Sequence, residues 1–204
     1  MTASKRSYRM GARARAAQQT REHILDAAVE LFSTRSYADV TVADIAGAAG
    51  VSGQTITNHF GSKDNLYLTG VEERFIRRVN EIRSGVVAGD IGSIVDAVLT
   101  GYEESGESTV KMLAQTDRFQ ALADVAREGR KAHHQWISEV FEFHLSQLTP
   151  RRRERLQRML WVLLDVHTWY QLRRQDGLTA RTVRTEVTEG IRTLMIGSGV
   201  HLSE

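Results

Sequence analysis

An all-α fold is what the sequence predicts, and three observations carry that expectation. A single proline occurs in 204 residues, so little interrupts a helical backbone. Apolar residues recur three and four apart rather than in alternation, the period of a helix face and not of a half-buried strand. Small polar residues that suit helix N-caps (Thr41, Ser52, Ser62, Asp90, Thr149 and Thr179) stand just before such runs.

Composition narrows the function classes. With no cysteine, disulfides, thiolate metal sites and cysteine nucleophiles are excluded together. No run of about 18 apolar residues exists to span a membrane as a helix, and a cytoplasmic location is expected. The net charge is only +2, but it is uneven: Lys5, Arg6, Arg9, Arg13, Arg15 and Arg21 all precede the first acidic residue, Glu22. An acid-free, arginine-rich start fits a transit peptide, a solvated tail, or an arm that follows a phosphate backbone. A secretory signal does not fit, because no apolar stretch follows the charges.

Residues 1–18 lack a periodic apolar pattern and are expected to form a mobile basic arm. From Thr20 a first helix places Ile24, Ala27, Ala28, Leu31 and Phe32 on one stripe and ends near Ser36. Thr41-x-x-Asp44 resembles a capping box opening a second helix, with Val42, Ile45, Ala46 and Ala49 at helical spacing. Gly50 supplies a turn, and Val51 drops back into the core. Ser52 and Gly53 open a third helix carrying Ile56 and Phe60 on one face. At 100° per residue, Gln54, Thr55 and Asn58 then point away. A polar, uncharged outer face behind a capped N-terminus is what a recognition helix offers to base edges. Residues 19–65 thus read as a helix-turn-helix DNA-binding domain.

The rest, 66–204, is expected to be a larger helical domain. Gly61 breaks the third helix and Ser62 caps a fourth, to about Ser84, with Leu68, Val71, Phe75, Val79 and Ile82 inward. After a linker from Gly85 to Gly92, Asp90 caps a helix bearing Ile94, Val95, Val98, Leu99 and Tyr102. A break at Ser105-Gly106 separates it from a short helix near Val110 to Gln115. Asp117-x-x-Gln120 resembles a capping box for a long helix to about Leu148. Thr149-Pro150 starts an eighth helix running to Asp176, stopped by Gly177. Thr179 opens a ninth, with Val183, Val187, Ile191 and Leu194 in one stripe.

The segment TREHILDAAVELFSTRSYADVTVADIAGAAGVSGQTITNHFGSKDNLYL resembles the N-terminal domain of the tetracycline-repressor (TetR) family of bacterial transcription regulators. IL-AA-ELF in the first helix, Tyr37, T-x-x-x-IA--AGVS, the H-F pair and the SK-x-x-L opening of the fourth helix carry the resemblance. It implies that Thr41 and Lys63, at helix N-termini, meet phosphate oxygens. It also implies that His59 touches the DNA backbone. Gln54, Thr55 and Asn58 are candidates for base edges. Thr57 stands where the family usually has a tyrosine that touches phosphate, so that contact is expected to be shorter or lost. With Ser52, Gly53, Arg6, Arg9, Arg13 and Arg15, these residues make up the expected DNA-binding set.

The resemblance further implies a homodimer, paired through the eighth and ninth helices on a palindromic operator in double-stranded DNA, and a small-molecule effector held by the helices behind the head. Tyr102, Phe119, His133, Trp136, Val140, Leu163, His167 and Tyr170 are the expected effector-binding residues. Trp161, Leu164, Thr168, Val183, Val187, Ile191 and Leu194 are expected at the dimer interface. No residue pattern calls for a cofactor or metal. Glu-x-x-His pairs, a P-loop, His-Glu-x-x-His and Gly-x-Ser-x-Gly are all absent, so a regulator is expected rather than an enzyme, most simply a repressor released by its effector. An activator and an effector-independent, architectural DNA binder are the alternatives.

Overall fold

The computed structural model describes residues 3–202, with side chains from Arg13 onward. The described residues form helices and no strand. They divide into two compact units, Met1–Arg77 and Arg78–Glu204.

In the first unit α1 spans Ala3–Thr34, followed by one 3-10 turn at Tyr37–Asp39, α2 at Val42–Ala49 and α3 at Gly53–Phe60. Helix α4 occupies 63–83 as an α-helix Lys63–Gly70, a π-turn Val71–Ile76 and an α-helix Arg77–Arg83. Ile24, Leu25, Ala28, Val40, Ile45, Ile56, Phe60 and Leu66 close the small core. Helix α1 therefore begins at Ala3 instead of Thr20. The added stretch is rich in Ala, Arg and Gln, strong helix formers, and residues 13–19 of it are exposed. Apolar periodicity has no signal there, while backbone propensity does.

Helix α4 also differs from expectation. Leu66 and Gly70 face the core, whereas Leu68 and Phe75 are exposed. A Cβ on Gly70 would lie 3.0 Å from Val29 Cγ2, so the bare glycine lets α4 approach α1. The π-turn that follows inserts a residue and rotates the later positions off the expected stripe. Arg74 consequently meets Glu22 and Asp26 of α1, and Arg21 of α1 grips Glu73 through both guanidinium ends.

In the second unit α5 spans Ile91–Leu113, α6 Gln120–Val140, α7 Glu142–Leu145, α8 Pro150–Leu163 and α9 Val166–Tyr170, which runs into a π-turn at Gln171–Gln175. Helix α10 is Ala180–Ser198. Asp90 accepts from the Ser93 amide at 3.1 Å, Pro150 opens α8, and the Thr179 side chain accepts from the Thr182 amide, all as expected.

Four expected boundaries are wrong. Helix α5 does not break at Ser105-Gly106. Ser105 and Thr109 return their hydroxyl protons to carbonyls four residues back, and Gly106 is small because Trp169 packs on it. A Cβ there would sit 2.4 Å from the indole ring. Asp117 does not cap α6; the N-cap is Phe119, without a side-chain bond, and Gln120 instead bonds Asp124 at 2.9 Å. That helix ends at Val140, where Phe141 and Leu145 turn into the core. Finally, the expected eighth helix splits into α8 and α9, because Asp165 caps α9 through the His167 amide at 2.8 Å.

The expected dimer residues are mostly interior. Leu164, Val183, Val187 and Ile191 are buried, and Leu194 is half-buried against the same core. The α10 stripe is covered by its own unit, α5 and α8 in particular. Trp161 is stacked on His134 of α6, with ring centroids 4.1 Å apart, and Thr168 donates its hydroxyl back to the Val162 carbonyl. The apolar side chains that α8 and α10 leave exposed are Met159, Val162 and Ile196.

Candidate nucleic-acid interface

Local bonds at successive helix starts set the geometry of the first unit. The Thr41 hydroxyl accepts from the Asp44 amide at 3.1 Å while Thr41 N–H donates to Asp44 Oδ2 at 2.8 Å, a complete capping box. The Thr41 hydroxyl, which also donates to Asp44 Oδ2 at 2.7 Å, and the Thr41 N–H together hold the Asp44 carboxyl below its usual range. Gly50 adopts φ 65°, a left-handed turn that a glycine makes without a Cβ clash, and α3 follows. Ser52 accepts from the Thr55 amide at 3.1 Å, and Ser62 caps α4 through the Asn65 amide at 3.1 Å. Three consecutive helices thus start on a hydroxyl bonded three residues ahead.

With Ile56 and Phe60 buried, α3 presents Gln54, Thr57 and Asn58 to solvent, while Thr55 and His59 are half-buried. Gln54 Nε2 donates to Asn58 Oδ1 at 2.9 Å. This bond aligns the two amides along one face and leaves the Gln54 carbonyl and the Asn58 NH2 to other partners. Gly53 and Gln54 also lie in the first turn, where amides have no intrahelical acceptor. No acidic residue occurs in α3, so its face lacks a charge that phosphate would repel. The short Thr57 side chain donates to its own Gly53 carbonyl at 3.2 Å.

Two expected phosphate contacts are redirected. Lys63 Nζ donates to the carbonyls of Tyr37 and Val40 at 2.8 and 2.9 Å and lies 4.0 Å from the Tyr37 ring centroid. Its ammonium is tied to the turn between α1 and α2, and burial lowers its pKa. Thr41 likewise directs both its N–H and its O–H at Asp44. Both residues position helix starts. Tyr37 belongs to this latch: its hydroxyl bonds Asp64, and its ring meets Phe32 and Tyr67 at 5.5 and 5.2 Å. Arg13 and Arg15 are exposed on α1; the side chains of Arg6 and Arg9 lie outside those described.

In the second unit the expected effector residues separate into two groups. Tyr102, His133 and Trp136 come together. The Tyr102 hydroxyl donates to the Leu164 carbonyl at 2.9 Å, and His133 Nε2 meets the same oxygen at 2.8 Å. That carbonyl is available because α8 ends there. Trp136 stacks on His133 at 6.4 Å. Burial pushes the Tyr102 phenol up and holds His133 down at about 4, so the imidazole is neutral. Leu163 is half-buried and Val140 buried in the core, and Tyr170 is half-buried beside Trp169 at 6.4 Å. By contrast His167 is exposed and bonded to Asp165. Phe119 occupies the α6 N-cap, with Arg118 over its ring at 5.7 Å.

Sequence reasoning missed Arg83, which pairs with no acid among the described residues and donates to His133 Nδ1 at 2.9 Å. It also missed the Leu164 carbonyl. The Leu-Leu-Asp-Val run at 163–166 held the available signal, an aspartate able to cap within an apolar stretch.

Residues 24–69 match the family described as bacterial regulatory proteins, tetR family. Over 85 residues the chain is 34% identical to the HTH-type transcriptional regulator AlkX of Mycobacterium tuberculosis, a stretch that covers 40% of this chain and 38% of that one. The alignment thus spans well under half of that curated relative. Among solved structures, a transcriptional regulator from Rhodococcus sp. Rha1 superposes with a TM-score of 0.69 at 16% identity, covering 89% of this chain and 99% of its own. The multidrug binding protein EbrR, solved with imidazole, gives 0.61 at 18% identity, with 91% and 92% covered. These two likenesses concern the fold; the sequence match rests on the first unit and includes its capped turn and α3. Through residues 24–69, the chain is similar to the N-terminal domain of the tetR family of bacterial regulatory proteins.

Proposed function

We propose that the protein is a sequence-specific, DNA-binding transcription regulator, a homodimeric repressor whose second domain binds a small-molecule effector. The observation that carries this reading is the outer face of α3: an exposed, acid-free Gln54–Asn58 amide pair behind a hydroxyl cap, within the stretch that matches the family. Glutamine and asparagine amides can each pair bidentately with adenine in the major groove. Residues 19–65 form the reading head in this account, and 66–204 the effector and dimerisation domain. The basic stretch 1–18, which includes Arg6, Arg9, Arg13 and Arg15, adds phosphate contacts.

Two such heads would enter successive major grooves of a palindrome, about 34–36 Å apart. Dimerisation is assigned to α8 and α10, through the exposed Met159, Val162 and Ile196 and not through the buried stripe. EbrR, named as a multidrug binding protein, supports a small-molecule effector. Within the first unit, helix α4 is joined to α1 by Gly70, Arg74 and Glu73. An effector that shifts the protein from almost wholly DNA-competent to almost wholly released must favour the released state by about 5.5 kcal/mol.

Gln54→Ala and Asn58→Ala test the reading. Each should weaken binding to the specific site by about 1–3 kcal/mol while non-specific binding in low salt persists. Wild-type operator affinity in both variants would remove α3 as the reading element.

A further inference from the structure

The arginines that the structure partly buries are matched to carboxylates, with one exception. Arg21 holds Glu73, Arg74 holds Glu22 and Asp26, and Arg173 holds Glu103. Arg83, at the end of α4, has no acidic partner among the described residues. Its contacts are the Trp136 ring, 4.3 Å from the guanidinium carbon, and His133 Nδ1 at 2.9 Å. Burial lowers the pKa of this guanidinium, the direction expected when no counter-charge offsets desolvation. The hydrogen bonds fix the neighbouring imidazole. His133 Nε2–H donates to the Leu164 carbonyl, so Nδ1 accepts from Arg83 Nη2. A neutral histidine adds no negative charge. Asp165, the nearby carboxylate, already accepts from the amide and ring of His167.

A guanidinium carries five N–H donors in a planar fork suited to a carboxylate. One of them is directed at His133, and no described residue accepts the others. Arg83, Tyr102, His133 and Trp136 are each only partly buried, and the Trp136 ring lies directly beside the charge. We propose that Arg83 anchors a small organic anion, a carboxylate whose apolar or aromatic body lies against Trp136 and Tyr102. The inference rests on the reading of the second domain as an effector domain, and names the effector's chemical class. It also gives the ligand a lever: the carboxylate would engage the last turn of α4, while its body contacts α5 and α6.

The test uses the full-length protein, with tryptophan fluorescence, thermal shift and affinity for its selected DNA site as readouts, and matched probes. Sodium octanoate and benzoate are compared with octan-1-ol and benzyl alcohol, and octylamine serves as the cationic control. Each carboxylate should bind at least about tenfold more tightly than its alcohol, the factor expected for a hydrogen bond to a charged group, and octylamine should bind worst. Arg83→Met should erase the carboxylate preference, and Arg83→Lys should retain part of it. Circular dichroism checks both folds, and if Arg83→Met does not fold, the wild-type preference and its reduction in Arg83→Lys decide. Equal affinity for carboxylates and alcohols, no carboxylate binding, or a preference that survives Arg83→Met would overturn the anchor. Release of DNA by an alcohol or by octylamine would overturn the anchor while leaving the effector-gated regulator standing. Carboxylate binding that depends on Arg83 but leaves DNA affinity unchanged would uphold the anchor and contradict the gating.

Discussion

The bonds that shape the candidate DNA-reading face differ in reach from those that shape the interior of the second unit. In the first unit, Thr41, Ser52 and Ser62 each bond an amide three residues ahead, so the helix starts are encoded where they occur. In the second, the bonds that fix the interior join distant residues. Tyr102 and His133 reach the Leu164 carbonyl, and Trp169 and Arg173 reach Glu103, 66 and 70 residues away. Locally encoded geometry is hard for a remote event to disturb, which suits an element that must present the same face to DNA each time. A helix break held by groups on other helices can change when any of those groups takes a new partner. The first unit's bonds suit the reading block, and the second's suit the sensor, that the proposed function assigns to them.

The largest expected effect lies in the second unit. Trp169 is buried, packs against Gly106 and donates to Glu103. Trp169→Ala should cost about 3–5 kcal/mol, measured by urea denaturation, while hydrogen exchange of α2 and α3 stays unchanged. Loss of protection in α2 and α3 at the same denaturant concentration would erase the distinction between the units. Next, Lys63→Met should destabilise the first unit by about 1–3 kcal/mol, because the Tyr37 and Val40 carbonyls lose a charged donor. The salt dependence of DNA binding should not change. A slope reduced by about one phosphate contact would return Lys63 to the DNA.

Thr41→Ala should cost about 1 kcal/mol, with Asp44→Ala giving no additional loss once the box is broken. Additive losses would mean that the box is not one unit. A further effect is pH-dependent. Folded His133 stays neutral down to about 4 against an ordinary 6.5, so between these values the unfolded chain binds a proton that the folded chain does not. Stability is therefore full above about pH 6.5 and falls as the pH drops toward 4. His134 and His144 are lowered too, so the useful comparison is with His133→Gln. Its melting temperature should fall less steeply across that window. An identical slope would mean that His133 is not held neutral.

The same contrast explains what the sequence made legible. The capped starts at Thr41, Ser52 and Ser62, the Gly50 turn and the buried Ile56 and Phe60 follow from spacing alone, and the structure places them so. The missing break at Gly106 could not be read, because the glycine answers to Trp169, 63 positions on. The stripe of Val183, Val187 and Ile191 was found correctly as a stripe but given to the wrong surface. Periodicity tells which residues share a face; it does not tell whether a neighbouring helix or a second subunit covers that face. Lys63 teaches a related lesson. A charge at a helix start suits phosphate, but two carbonyls of the preceding turn suit it as well, and only the fold shows which is in reach.

Selection of DNA from a random pool by the full-length protein tests the central claim most directly. The account predicts enrichment of a palindrome with half-sites about one helical turn apart, and loss of that enrichment in the Gln54→Ala/Asn58→Ala double variant. An unenriched pool, or the same palindrome selected by the double variant, would contradict it.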